Sequence, residues 1–235
     1  MVHTIENKEV QPVEIDNVQS FVSEVLKMHE SKETLVFRGH ASTSYELKPG
    51  IGRKNYSEDI ERKVFYDFKR QYFSYTSERP ISDMGILFLA QHYGLPTRLL
   101  DWTYNPMISL YFACESKPND DGCIFVVSLR EIFFADSDDD RSAPQTLREI
   151  MSIKKPMYVV PNNTDARYKN QKALFLLCNM PYRKFTAIKK TFIIKKESKE
   201  KILNDLALLG YDKTLVFPLL DNLCSDIKRM YNLND

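Results

Sequence analysis

Two polar spots interrupt apolar stretches of this sequence, and both contain residue types that can bind a ligand or act on one. The first is Arg38, which ends the apolar run Leu35-Val36-Phe37 and precedes Gly39. A guanidinium at the end of a buried strand needs a carboxylate or a phosphate to match its planar fork of donors. Gly39 has no side chain, so another group can approach the backbone beside Arg38 closely. We therefore expect Arg38 either to bind an anionic ligand or to pair with an internal acid such as Asp101.

The second spot is the segment from Gln91 to Thr103, which concentrates hydrogen-bonding groups between two apolar helices. Its polar and amphipathic side chains include Gln91, His92, Thr97, Arg98, Asp101 and the single tryptophan, Trp102. Buried polar groups are costly unless they are hydrogen-bonded, so these groups either satisfy one another or bind a ligand. The internal alternative is a network that locks a corner of the fold, with Arg98 and Asp101 as its ion pair. In both cases we expect Asp101 to be largely buried and paired with Arg38 or Arg98.

The elements that position these residues follow from hydrophobic spacing and from capping residues. We predict helices over 16–31, 57–76, 82–93 and 198–209, one beginning at 105–106, and a last one after 218. We predict strands that end at 38 and that cover 97–103, 122–129, 156–160, 173–178 and 185–194. Helices thus cluster at both ends and strands in the middle, which favours an α+β fold over the regular alternation of a doubly wound sheet.

The domain organisation expected from this pattern is simple. We predict an N-terminal arm at residues 1–14 and a single domain over 15–235, with central strands in a mixed or antiparallel sheet. The acidic segment 136–142 is expected to be an exposed connection.

Composition narrows the class of protein. Lys and Arg number 33 and Asp and Glu number 32, so the net charge gives no reason to expect non-specific binding to nucleic acid or to a membrane. The four cysteines form no CxxC pair, and neither a signal peptide nor a run of ~18 apolar residues is found. We expect a soluble, cytoplasmic protein without a membrane partner. The four histidines lack metal-ligand spacing, so no metal is expected, and no nucleotide-loop or hydrolase motif is present.

The same residues carry a family resemblance. The chain contains Phe37-Arg38-Gly39, the block from Gln91 to Thr103, then Asn105-Pro106 and the run Leu110-Tyr111-Phe112-Ala113. A weaker Arg-x3-Gln-x3-Phe pattern follows at Arg167, Gln171 and Phe175. These motifs resemble those of FRG domains, which are named for the aromatic-Arg-Gly motif and not for an activity. The resemblance runs from about residue 15 to about residue 232.

A more distant similarity suggests a chemistry. ADP-ribosyltransferases of the Arg-Ser-Glu type place an Arg on their first strand, a Ser or Thr at the start of a second strand, and a Glu near a later strand. Arg38 matches the first position, and Thr97, followed by the 110–113 run, resembles the second. The third position departs from the pattern, because Gln171 stands where a Glu is expected.

The resemblance implies an ADP-ribosyltransferase-like fold and an enzyme that uses NAD as co-substrate. Arg38 would hold the ribose-phosphate part, Thr97 would brace the pocket and Gln171 would hold the ribose 2′-hydroxyl. Gly39, His92, Arg98 and Asp101 would complete the cofactor site. Gln171 can accept a hydrogen bond, but it brings no negative charge to stabilise the oxocarbenium-like transition state.

Several functions remain open at this point. The first is transfer of ADP-ribose to a macromolecule, protein or nucleic acid. By analogy, such a protein would be a toxin or a phage-defence effector, with an antitoxin or regulatory protein as partner. The second is a non-catalytic nucleotide- or partner-binding module that uses the same cleft. The third is a nuclease or other hydrolase based on His92 and Asp101, for which the spacing supplies no metal or base constellation.

Overall fold

The computed structural model describes residues 11–30, 32–54, 56–131, 133–135, 143–161 and 166–231. The predicted acidic connection at 136–142 and most of the predicted N-terminal arm lie outside these ranges. The described strands are β1 Val13–Ile15, β2 Leu35–His40, β3 Leu99–Thr103, β4 Gly122–Ser128, β5 Phe133–Ala135, β6 Met157–Val159, β7 Ala173–Leu177 and β8 Lys190–Ile194. The described helices are α1 Val18–His29, α2 Glu58–Gln71, α3 Asp83–His92, α4 Pro106–Cys114, α5 Leu147–Ser152, α6 Ala166–Gln171, α7 Lys199–Leu208, α8 Lys213–Val216 and α9 Leu220–Met230.

The eight strands form one mixed sheet in the order β1-β8-β4-β2-β3-β7-β6-β5. The outer pairs β1–β8 and β5–β6 are parallel, and the other neighbours are antiparallel. The α+β class and the mixed sheet expected from the sequence are confirmed. Val13 and Glu14 pair with Phe192 and Ile193 of β8. The sheet therefore begins within the segment expected to be an arm.

The centre of the sheet is its weakest connection. β2 pairs with β4 along its whole length, from Leu35 to His40, and β3 pairs with β7 from Leu99 to Thr103. Between β2 and β3, in contrast, only Phe37 and Thr103 are paired. The sheet thus consists of two four-stranded halves joined by one bridge, and we call the opening between β2 and β3 beyond this bridge the seam.

Three apolar clusters cover the sheet. One packs α1, α4 and α7 against the half that contains β2, and a second packs α2, α3 and α5 against the half that contains β3. The third contains residues of both halves, Val36 and Val127 on one side and Leu100, Trp102 and Leu174 on the other. The two halves therefore have separate helical layers, and the third cluster spans the seam.

The helices that flank the site begin at polar capping residues. The side chains of Asn17, Ser57, Ser82 and Asn105 each accept a hydrogen bond from a backbone N–H in the first turn of α1, α2, α3 and α4, which satisfies donors that a helix cannot pair internally. Within the described ranges, no helix combines the length and apolar character needed to cross a membrane.

Candidate functional site at the seam

Arg38 lies within β2, which continues to His40, and its guanidinium points to groups on both sides of the seam. Its Nε donates to His40 Nε2 at 3.0 Å. Its Nη1 donates to the main-chain oxygen of Asp101 at 2.6 Å and to Asp101 Oδ2 at 3.2 Å. The third nitrogen, Nη2, has no hydrogen-bond partner in the described part of the chain. Arg38 is therefore held firmly and still has donors available for a ligand.

The contact with Asp101 explains why Arg38 occurs here. In a continuous sheet, a strand carbonyl would accept a hydrogen bond from the neighbouring backbone. β2 and β3 separate beyond Phe37 and Thr103, so the Arg38 side chain supplies the donor to the Asp101 carbonyl instead. Arg38 thus fills part of the seam and satisfies a backbone acceptor that the divergence of the strands leaves open.

A chain of hydrogen bonds links this contact to the start of β3. Gln91 Nε2 donates to both carboxylate oxygens of Asp101, at 3.2 and 3.1 Å. Thr97 Oγ1 donates to Gln91 Oε1 at 2.7 Å and accepts from the Leu99 N–H at 3.0 Å. Thr97 is buried and lines neither of the cavities described below. The residue expected to brace the pocket lies one layer behind its wall and fixes Gln91.

A cavity of about 190 Å³ occupies the seam, and we call it the seam cavity. Of the residues expected at the site, five line it: Arg38, Gly39, His92, Asp101 and Gln171. Its aromatic walls come from Phe37, Trp102, Phe112, Tyr168 and Phe175. A small space with aromatic walls and a few polar groups suits a single flat ring.

A second cavity of about 440 Å³ adjoins the first, and we call it the basic cavity. Its charged lining residues are Arg38, Arg53, Lys54 and Asp101. Arg38, Gln91 and Asp101 border both cavities, so they form the partition between them. Among the described residues that line the two cavities, Asp101 is the only acid.

Gln171 reaches the seam cavity from the last residue of α6. It is 9% exposed, and its Nε2 donates to the Val216 carbonyl at 2.9 Å. The main-chain carbonyl of Gln171 accepts a hydrogen bond from Thr103 Oγ1 at 2.5 Å. The next residue, Lys172, has φ of 45°, a left-handed conformation that is unusual for a residue with a side chain. The chain thus turns sharply between α6 and β7, with Gln171 beside the single bridge of the seam.

Arg98, expected at the cofactor site, lines neither cavity and pairs with an acid of another element. Its Nε and Nη2 donate to the two carboxylate oxygens of Glu61, each at 2.7 Å, and the residue is 1% exposed. The expected ion pair between Arg98 and Asp101 is wrong. Side chains alternate between the two faces of an extended segment, so residues three positions apart point to opposite faces. The carboxylate on the side of Arg98 is that of Glu61 in α2.

Asp101 is paired with Arg38, as expected, but it is not buried. Its side chain is 52% exposed, compared with 12% for Arg38. The expectation of burial rested on its apolar neighbours Leu100 and Trp102, which do face the core. Asp101 points the other way, at the place where the seam opens the sheet to the two cavities.

The missing side chain of Gly39 serves the core. A Cβ at Gly39 would lie 1.9 Å from the Ser109 carbonyl and 2.8 Å from the Ala113 nitrogen of α4. Gly39 therefore allows α4 to approach β2 closely, and the group admitted by the absent side chain is a helix and not a ligand. Its backbone nevertheless lines the seam cavity.

His40 is a site residue that the sequence analysis missed. Burial, followed by the charges of Arg38 and Arg53, lowers the pKa of His40 to about 3. A neutral imidazole is also what the geometry requires, because Nε2 accepts a hydrogen bond from Arg38. The available signal was its spacing, since residues i and i+2 of a strand share a face. His92, which was expected at the site, packs edge-on against Tyr93 and Tyr168.

Gln91 and Arg167 were expected only as members of motifs, and Arg53 was not expected at the site, although each lines one or both cavities. In the described ranges, no three His, Cys, Asp or Glu side chains come together as a metal site would require. The hydrolase alternative based on His92 and Asp101 therefore gains no ligand set from this structure.

Comparison with known proteins gives one match. Residues 33–122, which include Arg38 and the Gln91–Thr103 block, match the model of the FRG domain. Arg167, Gln171 and Phe175, where the sequence pattern was weaker, lie outside the matched part. No curated protein and no solved structure matches the chain. The matched segment contains Phe37-Arg38-Gly39, the motif that names the family, and this motif forms the β2 side of the seam, so residues 33–122 are similar to an FRG domain.

Proposed function

We propose that this protein is an ADP-ribosyltransferase-like enzyme that binds NAD at the seam and transfers ADP-ribose to a macromolecule. One observation carries the proposal: Arg38 and Gln171, which match the first and third positions of the transferase pattern, line one small aromatic cavity although 133 positions of numbering separate them. The strands β2, β3 and β7, which carry or follow the three pattern positions, are neighbours in the sheet.

The two adjoining cavities suit the two parts of a dinucleotide. The seam cavity, with its aromatic walls, would take the nicotinamide ring and its ribose. The basic cavity would take the phosphates and the remaining nucleoside. Arg38 stands in the partition, and its Nη2 would donate to the ribose-phosphate part.

The reaction breaks the bond between nicotinamide and C1′ of the ribose, and positive charge develops on the sugar as the nicotinamide leaves. The negative charge that Gln171 lacks would come from Asp101, whose carboxylate borders both cavities. Gln171 would accept a hydrogen bond from the 2′-hydroxyl through Oε1, which has no partner among the described residues. A nucleophile on the acceptor then forms the new bond to C1′ and loses its proton.

A direct assay tests the proposal. Purified protein is incubated with NAD that carries a label on the adenylate part, and both nicotinamide release and label on added protein and RNA are measured. Asp101→Asn should lower nicotinamide release by ~10–100-fold, because it removes one electrostatic contact to the transition state. Gln171→Ala should lower it less. If the wild-type protein releases no nicotinamide with any acceptor, the enzymatic proposal fails.

Gln171→Glu is an informative variant for the third position. The substitution keeps the size of the side chain but removes the donor to the Val216 carbonyl, so we expect a loss of ~1–3 kcal/mol in stability. If Asp101 supplies the charge, this variant should not release nicotinamide faster than the wild type. A faster rate would assign the role to position 171 instead.

The second candidate is a non-catalytic module that binds a nucleotide or a partner in the same cavities. It is favoured by the amide at position 171 and by the engagement of that amide with Val216. Binding of NAD without nicotinamide release, with Asp101→Asn binding equally well, would select this candidate.

The biological setting is proposed by analogy. The acceptor is a protein or a nucleic acid, and the role is that of a toxin or phage-defence effector under the control of an antitoxin or regulatory protein. We propose a cytoplasmic location because three free cysteines, Cys114, Cys123 and Cys178, are buried as unpaired thiols.

A further inference from the structure

The basic cavity contains an imbalance of charge that the contacts of Arg38 do not explain. Three cations line it, Arg38, Arg53 and Lys54, together with one acid, Asp101. The Asp101 carboxylate already accepts from Arg38 and from Gln91. Within the described residues, neither Arg53 nor Lys54 has an acidic partner. The cavity therefore presents excess positive charge.

The guanidinium of Arg53 is oriented by a single hydrogen bond. Its Nε donates to the Lys48 carbonyl at 3.1 Å, and its two terminal nitrogens have no hydrogen-bond partner in the described ranges. Two parallel donors of this kind match two oxygens of a phosphate. Arg53 thus offers two donor nitrogens to the cavity that Arg38 also lines with Nη2.

The backbone that carries Arg53 is fixed relative to β3. Arg53 follows a 3₁₀ turn at Gly50–Gly52, in which the Ile51 N–H donates to the Thr97 carbonyl at 3.0 Å. A Cβ at Gly52 would lie 1.8 Å from the Pro181 carbonyl, so the turn packs tightly against residues 181–182. This anchoring keeps two like charges beside one cavity, where a single anion can contact both.

Electrostatics agree with this geometry. Burial has the largest effect in lowering the pKa of Arg38, and Asp101 opposes it, but the charge of Arg53 lowers that pKa further. Arg53 also contributes to the lowered pKa of His40. The two guanidinium groups are therefore close enough for their charges to repel each other.

We infer that Arg53 and Lys54 form, with Arg38, a subsite for a pyrophosphate group. In the proposed function, on which the identity of the ligand rests, this group is the pyrophosphate of NAD. Bound between Arg53 and Arg38, it directs the nicotinamide ribose into the seam cavity towards Gln171, and the second nucleoside lies on the side of Tyr56.

The subsite can be tested by binding alone. Calorimetry would measure the dissociation constants of ADP-ribose, which contains the pyrophosphate, and of nicotinamide riboside, which has no phosphate. The proteins are the wild type, Arg53→Gln, Lys54→Gln and the control Arg62→Gln, which removes an exposed arginine of α2 that lines neither cavity. Melting temperatures of all four proteins are measured on the same preparations.

We expect Arg53→Gln to weaken ADP-ribose binding by ~10–100-fold and Lys54→Gln to weaken it less, because a lysine lacks the fork geometry. Arg62→Gln should bind as the wild type does, and nicotinamide riboside should bind all four proteins equally. The inference is wrong if the wild type does not bind ADP-ribose. It is equally wrong if Arg53→Gln and Arg62→Gln bind ADP-ribose alike, or if Arg53→Gln weakens both ligands to the same extent.

Turnover measurements separate this inference from the proposed function. Arg53-dependent binding of ADP-ribose without any nicotinamide release would keep the subsite and reject the enzyme. Nicotinamide release with the same KM for NAD in Arg53→Gln and Arg62→Gln would keep the enzyme and reject the subsite.

Discussion

Two arginine–carboxylate pairs lie on either side of β3, and they differ in almost every physical respect. Arg98 and Glu61 form two hydrogen bonds of 2.7 Å, with side chains 1% and 5% exposed. Arg38 and Asp101 form one side-chain contact of 3.2 Å, with side chains 12% and 52% exposed. The first pair uses both forks fully and connects α2 to the start of β3. The second leaves donors and a carboxylate facing two cavities.

The difference teaches how similar residues acquire different roles. A bidentate pair buried in the core has few donors or acceptors left for a ligand. Its role is to fix the packing of two elements. An arginine held by one carbonyl, one imidazole and one exposed acid is oriented but still available. Burial and the completeness of pairing therefore decide which arginine is a candidate for function.

The largest effect should follow from breaking the buried pair. Glu61→Ala leaves the Arg98 charge buried without its partner, so we expect a loss of ~3–5 kcal/mol in the free energy of unfolding. Urea denaturation measures it. The double variant Glu61→Leu with Arg98→Met should recover much of the loss, because two apolar side chains leave no buried charge. A Glu61→Ala protein as stable as the wild type would contradict this account of Arg98.

Arg38→Lys should have its main effect on ligand binding. Lysine retains the charge, but its single nitrogen cannot occupy the separate positions from which Nε contacts His40 and Nη1 contacts the Asp101 carbonyl. We expect NAD or ADP-ribose binding to weaken by ~10–100-fold, with a loss of only ~1 kcal/mol in stability. If the stability loss matches that of Glu61→Ala while binding per folded molecule is unchanged, the two arginines have the same structural role.

The pH dependence of stability distinguishes the pairs in another way, because only Arg38 relies on a neutral histidine. The pKa of His40 is about 3 in the folded protein and ~6.5 when unfolded, so the unfolded state binds the extra proton below pH 6.5. Stability from His40 is therefore complete above pH 6.5 and is lost as the pH falls towards 3, by about 2 kcal/mol at pH 5.

Thermal or urea unfolding at pH 7 and pH 5 measures this difference. His40→Gln can still accept from Arg38 and should reduce the loss between the two pH values, whereas the exposed control His29→Gln should not. An unchanged pH profile in His40→Gln would show that the imidazole is not the titrating group.

The smallest effect on stability is expected for Asp101→Ala. Its carboxylate is half exposed, and the Asp101 main-chain oxygen can still accept from Arg38, so the loss should not exceed ~1 kcal/mol. Urea denaturation beside Glu61→Ala gives the comparison directly. A loss above ~3 kcal/mol would mean that the two pairs do not differ as their exposures indicate.

Much of the fold followed from local signals in the sequence. The predicted helices over 16–31, 57–76 and 82–93 are present as α1, α2 and α3, and β4, β7 and α7 lie within one or two residues of their predicted ends. β1, β5, α5, α6 and α8 were missed, and none of them is longer than six residues. Such short elements depend on partners that are distant in the chain, as β1 depends on β8.

The site was predictable in its members but less so in its pairings. The sequence indicated that Arg38, Asp101 and Gln171 were unusual, and they do line one cavity. It could not supply the partner of Arg98, because Glu61 lies on another element, α2, 37 positions earlier in the chain. Nor could it show that β2 and β3 diverge after one bridge, which is what exposes Asp101.

That single bridge has a mechanical consequence. The two four-stranded halves, each with its own layer of helices, are joined by one backbone bridge, and the third apolar cluster packs across their junction. A twist of one half against the other breaks fewer strand-to-strand hydrogen bonds than the separation of β2 from β4 or of β3 from β7. A molecule that contacts Arg38 in one half and Gln171 beside the other restrains the motion of the two halves. Binding of such a molecule should slow amide hydrogen exchange at Phe37 and Thr103. The slowing should be much greater there than in the fully paired strands β4 and β7.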